Sequence, residues 1–224
     1  KKDLQDLVQE SNDLLKDIQK LEKQMIQNQE LSWQDKKKLE DLLEKYQELK
    51  KQIDELQKNQ SQQNALEEQY KNMPENLIKK QQELQKRFED VLSEEMKAMF
   101  EKLQKMMNEA SQKEDVQKAM KEMKQNTEDL NKSLDQQLEL FKQLEFEKKY
   151  SDIIEKTKDL SRDERMLSKE TEQKAINKNE LLQKQENIEQ RFNEIKKDLQ
   201  ELKKLNQELA DPNKLTNTED LQKQ

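Results

Sequence analysis

The side chains in this sequence with a capacity for recognition are few, and they cluster. Met96, Met99, Met106 and Met107 surround Phe100, and Met120 and Met123 follow a short way on. Thioether side chains are unbranched and polarisable and adapt to varied surfaces, which makes Met96, Met99, Phe100, Met106 and Met107 a candidate partner-binding face. The plainer reading, and the preferred one, is core filling where a helical register slips. Trp33, the only Trp, is the other candidate for partner binding, because large aromatics anchor interfaces. Its local alternative is to cover a junction between two helical segments.

Other chemistries are excluded by what is missing. The chain has no Cys and no His, which removes thiolate and imidazole metal ligands, disulfides and His-assisted nucleophiles together. It has no Gly, and phosphate-cradling loops, dinucleotide fingerprints and EF-hand loops all need Gly for backbone reasons. The abundant Asp and Glu lie on exposed helical faces, away from any desolvated cleft that would tune a carboxylate. No catalytic, cofactor-binding or metal-ligating residue is therefore assigned, and the chain is read as a non-enzyme. Formal charge is −7 with both signs interspersed, which lacks the basic stripe of a nucleic-acid reader. Runs such as Lys36-Lys37-Lys38 read as solvated faces with intrahelical pairs. No apolar run reaches the length of a membrane span.

Elements that could carry these residues follow from composition. Hydrophobic residues make up 30% of the chain and charged residues 42%, against about 45–50% and 25% in ordinary globular domains. A compact sphere cannot be filled from that stock. Without Gly, and with Pro only at 74 and 212, the chain has few means of sharp reversal and must be mostly long helix. The expected fold class is all-α: an elongated coiled coil of long helices, folded back as antiparallel helical hairpins. A parallel homodimer with one long seam is the alternative.

Apolar residues recur in alternating steps of three and four, the mark of a seam between helices. Leu7, Leu14, Leu21, Leu42, Leu49, Leu56, Leu77 and Leu84 share one seven-residue phase. Polar seam positions predict breaks near 32, where Ser32 and Asp35 read as a helix start, and over 59–74, where Pro74 suits a new helix. The stretch 1–110 is thus a set of coiled-coil helices with those two breaks. A register slip and a corner near Ser111 precede a coiled-coil helix over 111–149. Ile153, Leu160, Leu167, Leu181, Ile188, Ile195, Leu202 and Leu209 again keep one phase, which predicts a single long helix over 150–210. Asp211-Pro212 opens a loop, and Thr218-Glu219-Asp220 suggests a truncated new helix within 211–224. Polar Asn28 and Asn206 on the seams would fix register or partner number.

The stretch Leu31-Ser32-Trp33-Gln34-Asp35-Lys36-Lys37-Lys38-Leu39-Glu40-Asp41-Leu42-Leu43-Glu44-Lys45, with the segment from Met96 to Met107, resembles an uncharacterised family of large proteins of Bacteroidota-type bacteria. Members of that family carry N-terminal transmembrane helices followed by a long Lys/Glu/Gln-rich coil. The resemblance implies a cell-envelope setting, on the periplasmic side of the inner membrane, with membrane contact only through parts of a parent chain absent here. It implies no activity and no cofactor. Function is accordingly expected to be a scaffold or spacer that meets protein partners or itself through helical seams. The alternative is a regulatory segment docking an enzyme, or a secretion or motility complex, through the Met-rich face.

Overall fold

The structure is a computed structural model that describes residues 2–27, 32–70, 73–89, 98, 101–105, 113–173 and 176–215. These residues are all-α, with no strand among them. Five long helices are described: α1 (Lys2–Gln27), α2 (Trp33–Tyr70), α3 (Glu75–Glu89), α4 (Lys113–Glu172) and α5 (Lys178–Gln207). Two compact units divide them, Lys1–Phe141 and Lys142–Gln224, so α4 contributes to both.

Each helix start has a local cause. Ser32 and Asp35 form a reciprocal cap: the Asp35 N–H donates to Ser32 Oγ at 3.1 Å, and Asp35 Oδ2 accepts from Ser32 N–H and hydroxyl at 3.1 and 2.7 Å. Two backbone donors that would otherwise be left over at the N-terminus of α2 are satisfied this way. Pro74 lies just outside α3, and its carbonyl accepts from Leu77 and Ile78 at 2.9 and 3.2 Å. Asn177 caps α5 from an extended backbone, its side chain accepting from Glu180 N–H at 3.0 Å.

In the first unit α1 buries a complete stripe, Leu4, Leu7, Ser11, Leu14, Ile18, Leu21 and Met25, spaced three and four apart. α2 answers with Leu39, Leu42, Tyr46, Leu49 and Ile53, and the early part of α4 with Val116, Met120, Met123, Leu130 and Leu134. All belong to one apolar cluster that also takes in Phe88 and Leu103. Cross-helix bonds set the directions. Lys45 meets Asp17 at 2.7 Å and Lys38 meets Gln24 at 2.6 Å, so α1 and α2 run antiparallel. Gln117 bonds the Met25 carbonyl, Lys124 pairs with Glu22 and Asn131 with Asn12, so α4 also runs antiparallel to α1. Each fully buried Leu or Ile contributes about 1.5–3 kcal/mol, and packing from two sides makes α1 the centre of this core.

The second unit is a helical hairpin. Ile153, Leu160 and Leu167 of α4 share an apolar cluster with Ile188, Ile195 and Leu202 of α5, closed at one end by Phe146 and Leu209. Ion pairs 163–191 and 170–184 fix an antiparallel register that sets Leu160 level with Ile195 and Leu167 with Ile188.

Three sequence expectations meet corrections here. The break predicted within 59–74 narrows to its end: α2 stays helical through Tyr70, so the polar run 57–64 is helix and not loop. Amide partners on α3 explain how it stays packed without apolar residues. The boundary drawn between 149 and 150 is absent, because α4 crosses it without interruption. The single long helix drawn over 150–210 is instead two helices, with a reversal between Glu172 and Lys178. The corner near Ser111 and the helix start at Thr218 lie outside the described residues.

Candidate functional site

The predicted recognition residues divide between buried, exposed and undescribed. Met96, Met99, Phe100, Met106 and Met107 lie outside the described residues, as does Asn28. Their neighbours show what the local helices do with apolar side chains. Leu103 is wholly buried, as are Met120 and Met123, all inside the first unit's core. Lys102 pairs with Glu122 at 3.0 Å, which seats residues 101–105 beside α4. For Met120 and Met123 the core-filling reading therefore holds.

Trp33 does the opposite of what a junction cover does. At the first position of α2 it is 74% exposed, and its only described contact with a charge is Lys37, whose Nζ stands 5.6 Å from the ring centroid one helical turn on. The cap on this helix start is made by Ser32 and Asp35, and the indole takes no part in it. It remains the most exposed large apolar side chain among the described residues.

Asn206 was expected to mark a seam. It is buried, but its amide clasps the chain beyond α5: Nδ2 donates to the Asn213 carbonyl at 2.9 Å and Oδ1 accepts from Asn213 N–H at 2.8 Å. That two-point bond holds the turn through Pro212 against the helix end and keeps Leu209 in the core.

Two surfaces emerge that sequence spacing did not single out. Along one flank of the hairpin formed by α4 and α5 runs a ladder of ion pairs. Asp198 bridges Lys149 at 2.7 Å and Lys156 at 2.6 Å, Lys149 also reaches Glu201 at 2.5 Å, Arg191 meets Asp163 at 2.5 Å, and Lys184 meets Glu170 at 2.7 Å. Burial alone would raise the Asp198 carboxyl, but its bonds to Lys149 and Lys156 hold it below the usual carboxylate range. Burial alone would lower Lys149, yet the hydrogen bonds it donates to Asp198 and Glu201 hold it above an ordinary lysine. Asp198 and Lys149 are thereby held in their charged forms, and the ladder fixes the register of the two helices. The opposite flank carries exposed Tyr150, Ile154 and Phe192, with Phe146 stacked on Tyr150 at 6.3 Å and Lys196 4.6 Å above the Phe192 ring.

One groove of about 230 Å³ runs between α1 and α2, lined by Asp17, Leu21, Lys38, Asp41 and Lys45 among others, and opens to solvent. Among the described residues no group of three or more His, Cys, Asp or Glu could hold a metal ion. No described helix is long and apolar enough to cross a membrane. No protein-family profile, curated protein or solved structure matches the chain.

Proposed function

We propose that this chain is a structural and interaction module, a coiled-coil scaffold or spacer that holds or presents parts of a larger assembly. The observation that supports this most directly is the second unit. There a seam of single apolar residues, flanked by five interhelical ion pairs, fixes the alignment of two helices to the residue. Such a rod has defined length, about 45 Å for the 30 residues of α5, and little enclosed volume for a substrate. An envelope-associated parent protein is the setting that the resemblance of residues 31–45 suggests.

A spacer is sensitive to length and indifferent to most surface identities. The test removes one heptad from each arm of the hairpin together, 160–166 and 189–195, which shortens it by about 10 Å and leaves the seam in phase. Cross-linking mass spectrometry in the native host should then show partner cross-links beyond the deletion lost or moved along the chain. Scattered Lys-to-Gln changes on exposed faces should leave them in place. Substrate turnover by the purified chain, abolished by a single carboxylate-to-amide change, would sink the proposal.

A further inference from the structure

α3 is the shortest of the five helices and rests on the least apolar ground in its unit. One stripe of it is buried: Leu77, Gln81, Leu84 and Phe88. The facing part of α2 offers no such stripe, for between Asp54 and Glu67 no side chain is fully buried, and Leu66 is turned to solvent. What α3 meets is an amide ladder. Gln85 donates to Ser61 Oγ at 3.2 Å, Asn64 donates to Gln85 at 3.3 Å, and Gln81 donates to Asn64 Oδ1. Gln81 is 1% exposed, yet its Oε1 has no hydrogen-bond partner among the described residues.

Each of these features lowers the cost of separation. Neutral amide bonds are exchanged for bonds to water with little net loss, and the buried Oε1 gains a partner on exposure. Among the described residues the fully buried apolar side chains here belong to α3 alone, whereas the apolar stripe of α1 meets buried apolar stripes of both α2 and α4. Phe88 belongs to the main core cluster, but Leu77 and Leu84 do not. We propose that α3 is a releasable arm. It opens off α2 as a local unit, pivoting at Phe88, while α1, α2 and the early part of α4 stay packed. Opening bares Leu77 and Leu84 and leaves a 15-residue helix that cannot hold its hydrogen bonds alone in water.

Hydrogen exchange on the full chain tests this directly, because a detached α3 melts and its amides exchange. Peptides over 77–85 should exchange at least about ten-fold faster than those over 14–21. Replacing the ladder with apolar contacts, in the double variant N64L/Q81L, should slow 77–85 by about ten-fold and leave 14–21 unchanged. Leu84→Ala should speed 77–85 alone, which keeps the test open if the double variant does not fold. One common rate for both segments, or equal changes in both on either substitution, would overturn the proposal.

Discussion

The two units use the same seven-residue grammar and hold together by different chemistry. In the first, α1 is covered on two sides, and its seam side chains are 0–3% exposed. In the second, each helix has one helical partner among the described residues, and the facing residues from Ile153 to Leu202 keep between 2 and 9% exposure. Among the described residues, interhelical ion pairs follow the inverse order: a ladder flanks the thin seam, whereas the thick core shows separate pairs such as Lys45–Asp17, which is more exposed. The difference teaches that when a seam cannot be closed by a third helix, long charged side chains close it from the flank. Their stems cover apolar surface while their heads fix the register.

The largest expected effect probes this contrast at its apolar end. Ile18→Ala should cost about 3–4 kcal/mol in urea unfolding followed on the first unit, because α1 is packed from both sides and the site cannot collapse. Leu160→Ala in the second unit should cost about 2 kcal/mol, since water already reaches its edge. Equal losses would break the comparison. Next comes Asp198→Asn, which removes the centre of the ladder and should cost about 1 kcal/mol, with a dependence on salt that Ile18→Ala lacks.

Titration should separate the units at a similar scale. Asp198 is held below its unfolded value of 3.8, so its contribution is present above that pH and is lost as pH falls through the folded value. Lys149 is held above 10.5, so its contribution is present below that pH and is lost as pH rises through the folded value. In the first unit burial pushes Tyr46 from 10 up to about 12, so that residue favours the fold below pH 10 and the gain disappears across that interval. Thermal melts from pH 2 to 5 should show an acid loss in both units, because Asp17 of the first unit is likewise held low by its bond to Lys45, and Asp198→Asn should flatten the second unit's share alone. Smallest of all, Trp33→Ala should shift stability by less than about 0.5 kcal/mol, as for an exposed surface residue. A larger loss would restore the junction role.

Much of this was legible in the residues. The phase of Leu7, Leu14 and Leu21, of Leu42 and Leu49, and of Ile153 through Leu209 marks the buried stripes, and Ser32 with Asp35 marks the start of α2. The reversal before Lys178 was hidden because it preserves the seven-residue phase, so Leu167 and Ile188 read as positions on one stripe of a single helix while they face each other on two. Asn177 followed by Glu180 was the signal that could have exposed it. The helical state of 57–64 was hidden for another reason. Its partners are the amides of α3, and a polar seam looks like a gap until both sides are in view.

The buried Ser11 and the Asn131–Asn12 bond have a consequence of a different order from stability. To a seam of apolar residues spaced by heptads, an alignment displaced by seven residues looks much like the true one, and α1 against α4 is largely such a seam. Among the described residues Ser11 Oγ and Asn131 Oδ1 are buried without partners, a penalty of about 1–3 kcal/mol for each group. A displaced alignment loses the bond from Asn131 to Asn12, together with the Lys124–Glu22 pair and the bond from Gln117 to the Met25 carbonyl. These residues act as an address on an otherwise repetitive tape, giving the chain one answer to where along its partner each helix belongs.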